Sequence, residues 1–72
     1  MSDRERRIRR HKEIMAEMFT NAGYEFTLRD LRYFRFYGKR PSMSEFDMIT
    51  YKAYRQVEKE EGTTFNIMDL LV

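Results

Sequence analysis

The sequence predicts an all-α fold: a small bundle of three helices followed by a short C-terminal helix or an extended apolar tail. Three observations predict it. Gly23, Gly38 and Gly62 punctuate the chain, each followed within four residues by a possible helix start. Capping patterns led by Ser or Thr precede the apolar runs. Phe46, Ile49, Ala53 and Val57 recur at the three- and four-residue spacing of one helical face.

The first segment runs from about Ser2 to Ala22. Ser2 suits an N-cap, and Asp3 and Glu5 in the first turn complement the helix dipole. Asp3–Arg7 and Glu5–Arg9 are acid-first pairs one turn apart. Ile8, Met15, Met18, Phe19 and Ala22 line one face, with His11 among them. The first half is nearly all charge, so residues 1–10 are expected to protrude from the core or fray.

The second segment is predicted as a helix over about Leu28 to Tyr37. Thr27 and Asp30 stand at capping-box spacing, Phe26 and Leu31 form a hydrophobic staple, and Gly38 supplies the stop. Aromatic residues also favour strands, so Arg32 to Tyr37 admits a strand, but the cap and the stop favour helix. The third helix is predicted over about Met43 to Glu61, capped by Ser42 with Glu45 or by Ser44 with Asp47. In the tail, Phe65, Ile67, Met68, Leu70, Leu71 and Val72 need a partner surface, either this domain's own core or another chain.

Composition narrows the function. A chain of 72 residues holds one domain, because domains start at about 50 residues. It has no Cys, hence no disulfide and no thiolate nucleophile, and its single His rules out a His-rich metal cluster. The longest uncharged runs, Met18 to Tyr24 and Gly62 to Met68, are seven residues each, whereas a membrane-spanning helix needs roughly 20 apolar residues. The charged start of the chain does not read as a secretory signal, so the expected location is cytoplasmic. The net charge of +2 divides unevenly: residues 1–40 carry 11 basic and 6 acidic side chains, residues 41–72 carry 3 and 6.

Catalysis finds little support. His11 lies in an Arg-rich stretch that disfavours its protonated form, and no carboxylate is fixed beside it by spacing. Glu58, Glu60 and Glu61 read as a solvated run at a helix end. No phosphate-cradling Gly loop, nucleophile elbow or metal-ligand spacing is present. The expectation is a protein without catalytic residues, cofactor or metal.

Two binding modes remain. Arg, Tyr, Phe and Met are abundant at 10, 5, 6 and 6 residues, and these types are enriched in protein interfaces. The first expectation is therefore a small accessory, regulatory or inhibitory protein acting through a protein interface. Tyr51, Tyr54, Phe65, Met68 and Leu71 would form the contact, with a second copy (a homodimer) or a larger protein target. The alternative is a nucleic-acid-binding protein using Arg6, Arg7, Arg10, Arg32, Arg35 and Arg40, since the guanidinium fork suits phosphate. Tyr33, Phe34, Phe36 and Tyr37 interleave with the second basic cluster and would suit base stacking, although a chain this small is expected to bury them. A helix-turn-helix is rejected, because Glu45 and Asp47 would be repelled by phosphate at the start of its recognition helix.

Overall fold

Between Glu25 and Tyr37 the side chains alternate with a period of two, and that alternation decides the architecture. Phe26, Leu28, Phe34 and Phe36 are half-buried, while Glu25, Thr27, Arg29, Tyr33, Arg35 and Tyr37 between them are exposed. A helix would set Phe34 and Phe36 about 200° apart, whereas a strand places residues two apart on one face. The expected all-α, three-helix bundle is therefore incorrect: the predicted second helix is a β-hairpin. The computed structural model describes residues 2–30 and 32–71. Its order is α1 (Asp3–Asn21), β1 (Glu25–Arg29), β2 (Tyr33–Tyr37), α2 (Met43–Glu61) and a 3-10 helix (Ile67–Leu70).

The strands pair antiparallel, with Phe26 opposite Phe36 and Leu28 opposite Phe34. The features that suggested a cap take other roles here. Thr27 sits mid-strand, and Asp30 takes a left-handed conformation, φ 54°, in the turn, which the Arg32 N–H closes by donating to the Arg29 carbonyl at 3.0 Å. Leu31, the other half of the expected staple, lies outside the described residues. Gly38, φ 72°, ends a strand rather than a helix.

Both long helices follow their caps. The Ser2 and Ser42 hydroxyls each accept from the backbone N–H three residues on, at 3.1 Å. α2 ends at Gly62, φ 69°, whose N–H donates to the Glu58 carbonyl at 2.9 Å in the left-handed C-cap that favours glycine. The helices run antiparallel, with the α1 start beside the α2 end and Phe19 beside Phe46. Ile14, Met15 and Phe19 pack with Ile49, Ala53 and Val57, all buried. The tail is a short turn capped by Asn66, whose side chain accepts from the Met68 N–H at 2.9 Å. It buries Leu70 against the helix pair. Val72 lies outside the described residues.

The hairpin reaches the helices through one ring. Phe19 is fully buried and meets Tyr24, Phe26, Phe34, Phe36 and Phe46 at centroid distances of 5.0 to 6.1 Å. Four of the five contacts are edge-on, the geometry that aromatic quadrupoles prefer. Truncating a buried Phe to Ala costs about 3–5 kcal/mol, as much as a core of this size supplies. Phe19→Ala is expected to abolish the cooperative thermal transition followed by circular dichroism, while the exposed-site change Tyr33→Ala retains it. A native-like melt for Phe19→Ala would show that the core closes without the ring.

Candidate functional site

The hairpin turns one face inward to Phe19 and leaves the other in solvent. Across the outer face the register sets Glu25 beside Tyr37, Thr27 beside Arg35 and Arg29 beside Tyr33. Tyr33 is 65% exposed and Tyr37 46%, high values for rings on a regular strand. The Arg35 guanidinium lies 5.5 Å from the Tyr37 ring centroid, and the Tyr37 hydroxyl is 3.3 Å from Thr27 Oγ1. The two tyrosines lie four positions apart on the strand, about 13–14 Å, with Arg35 midway.

The surrounding charge is positive. Arg29, Arg32, Lys39 and Arg40 are exposed on the hairpin and in the segment after it. Arg29 approaches Asp30 only at 3.9 Å. Among the described residues, no carboxylate lies within 4.0 Å of Arg32, Arg35, Lys39 or Arg40. Lys39 rests over the Tyr24 ring at 4.8 Å. Of the arginines expected to contact nucleic acid, Arg35 stands on the exposed aromatic face, Arg32 lies in the hairpin turn and Arg40 in the segment after the hairpin, all three exposed.

Arg6, Arg7 and Arg10 have a different place. Arg6 Nη2 meets Glu61 Oε2 at 2.7 Å, and Arg7 Nε meets Glu61 Oε1 at 2.6 Å. Arg10 grips Glu60 with two hydrogen bonds of 2.8 Å each. This fork holds the Glu60 carboxyl down at about 2, with Gln56 assisting. Arg7 and then Arg6 lower that of Glu61. The acidic run read as solvated is thus a clamp across the ends of two helices. Glu58 faces inward, with its Oε2 accepting the Phe65 N–H at 3.1 Å and its Oε1 3.2 Å from Arg55 Nη1.

The residues expected at a protein interface separate into two groups. Tyr51, Met68 and Leu71 are exposed, at 54%, 63% and 48%. Tyr54 and Phe65 are half-buried and bind each other: the Tyr54 hydroxyl donates to the Phe65 carbonyl, and the rings meet edge-on at 5.3 Å. Arg7 covers the Phe65 ring at 4.5 Å. These two side chains fasten the segment that follows α2.

Two polar side chains on α1 are buried beside the core. His11 is fully enclosed, with Nε2 3.0 Å from the Thr50 carbonyl and Nδ1 3.2 Å from Lys12 Nζ. A carbonyl oxygen only accepts, so Nε2 carries the proton and Nδ1 accepts from the ammonium. Burial holds the His11 imidazole down at about 4, with Lys12 adding to the effect against the Thr50 hydrogen bond, and burial also lowers Lys12. Nothing in the sequence marks Lys12 as different from the arginines around it. The outer-face tyrosines did leave a signal, the alternation of Tyr33, Arg35 and Tyr37 with Phe34 and Phe36, which a helical reading of the segment conceals.

Among the described residues no group of three or more His, Asp or Glu side chains could hold a metal ion, and no helix is long and apolar enough to cross a membrane. No family model, curated protein or solved structure matches the chain.

The buried imidazole has a measurable consequence. The unfolded chain protonates His11 near 6.5 and the folded chain near 4, so within that window the unfolded state binds more protons. Stability is expected to fall as pH drops from about 6.5 towards about 4. The Glu60 contribution is lost separately, as pH drops from about 4.5 towards about 2. Urea melts across this range measure both, and His11→Leu should flatten the upper limb while keeping the lower. An upper limb unchanged in that variant would assign it to another group.

Proposed function

We propose that the protein is a non-catalytic binding protein whose outer hairpin face receives single-stranded nucleic acid. The observation that carries this reading is the line Tyr33–Arg35–Tyr37: two exposed rings flanking a guanidinium with no carboxylate beside it among the described residues. Rings on a rigid strand offer stacking platforms to bases, and Arg29, Arg32, Lys39 and Arg40 offer charge to the phosphates. Phe34 and Phe36 anchor the same strand from beneath, so the platform is held before any ligand arrives.

Anisotropy with a labelled single-stranded oligonucleotide tests the reading. Binding should weaken steeply from about 50 to about 200 mM salt, with a slope of about 0.7 per phosphate contact. Tyr33→Ala and Tyr37→Ala should each lose about 1–3 kcal/mol of affinity, and Arg35→Ala should also reduce the salt slope. Arg6→Ala should leave affinity within about twofold, because Arg6 is committed to Glu61. Absence of binding at low salt, or tyrosine variants that bind as the native chain does, would refute the proposal.

A second reading rests on the exposure of Tyr51, Met68 and Leu71, apolar surface that a second copy or a larger protein could cover. Self-association seen by light scattering should then persist in high salt and be broken by Leu71→Asp. A monomer at all concentrations would remove the homodimer.

A further inference from the structure

A cleft of about 360 Å³ lies where the turn end of the hairpin, the 3-10 helix and the helix pair meet. Its walls combine apolar surface from Phe34 of β2, Phe46 of α2 and Leu71 after the 3-10 helix with polar surface of nearly the same extent, and the almost fully buried Met15 and Leu70 lie at its base. Two cations also line it: Arg32, exposed in the hairpin turn, and Lys12, only 7% exposed. Small-molecule sites are likewise concave, of a few hundred Å³, and join apolar surface to a small number of placed polar groups.

Lys12 is the unusual member. Its Nζ contacts His11 Nδ1 at 3.2 Å and the Leu70 carbonyl at 3.5 Å, the latter a long contact. An ammonium has three donors, so one N–H has no partner among the described residues. No carboxylate lies within 4.0 Å of it among those residues either. A buried charge without a counterion is costly, and an anion seated beside the Lys12 ammonium would offset that cost. The apolar part of the walls adds that the anion carries an apolar body.

We propose that this cleft binds a small amphipathic monocarboxylate, its carboxylate on Lys12 with Arg32 at the rim and its hydrocarbon body against Phe34, Phe46 and Leu71. Inorganic anions would gain the charge contact but not the walls, and neutral alcohols the walls but not the charge. The inference is independent of nucleic-acid binding. Tyr33 and Arg32 border this cleft and also belong to the proposed nucleic-acid face, so the deciding variant is at Lys12.

Titration of the full chain with decanoate, kept below its micelle-forming concentration and followed by amide NMR, provides the test. Decanoate should give saturable shifts centred on Thr50, Leu70 and Leu71. Decanol should bind at least tenfold more weakly, and acetate should produce no saturable change. Lys12→Met keeps the length of the stem and removes the charge, so it should abolish the preference for decanoate over decanol. It should also raise the melting temperature of the unliganded protein. Arg32→Gln, at an exposed position, should weaken decanoate several-fold with the fold intact. Equal binding of acid and alcohol, no saturable binding of decanoate, or unchanged decanoate affinity in Lys12→Met would each overturn the proposal. The first two outcomes are read on the native chain and need no variant to fold.

Discussion

The ring of Phe19, at the last turn of α1, touches aromatic side chains from both strands, from α2 and from the loop that leads into β1. A two-stranded hairpin has little stability alone and needs an apolar surface on which to lay its inner face. Phe19 and Phe46 provide that surface, and Phe26, Phe34 and Phe36 complete it. The same contacts leave the alternate residues of β2 in solvent. Exposure of Tyr33, Arg35 and Tyr37 is the geometric complement of burying Phe34 and Phe36.

Charge is organised by the helix pair in the same way. Antiparallel packing brings the basic start of α1 to the acidic end of α2, and Arg6, Arg7 and Arg10 are taken up by Glu60 and Glu61. A cluster that reads along the chain as a surface for polyanions thus spends much of its charge within the fold. Of the cations on and after the hairpin, only Arg29 approaches a carboxylate among the described residues, Asp30 at 3.9 Å. The positive potential available to a ligand accordingly shifts from the first helix to the segment between Arg29 and Arg40, beside the two exposed rings.

The polar interior of α1 sets a second boundary. His11 ties α1 to the Thr50 carbonyl of α2, and Lys12 reaches towards the Leu70 carbonyl of the tail. Three elements are joined through two adjacent side chains, one of which is a buried cation. Together with the hairpin turn and Leu70, Lys12 borders a cleft that also takes in Phe34 and Phe46.

The sequence by itself determined both long helices, because their signals are local. Ser2 and Ser42 cap α1 and α2, Gly62 closes α2, and Ile49, Ala53 and Val57 repeat at the helical period, all within a few residues of the structure they specify. It also determined that the tail needed cover, which the helix pair supplies to Leu70. The middle segment was decided by tertiary structure. Thr27, Asp30 and Gly38 suit a helix locally, but only as strands do Phe26, Leu28, Phe34 and Phe36 present a single face, and Phe19, distant in sequence from β2, selects that face. The site followed the same division. Arg32, Arg35 and Arg40 were visible as a basic cluster, whereas the exposure of Tyr33 and Tyr37 depended on which face the strand buried. The burial of Lys12 and the neutralisation of Arg6, Arg7 and Arg10 depended on side chains about 50 or more residues away. Composition and spacing report local preference, and contacts between distant residues set which side chains reach the solvent.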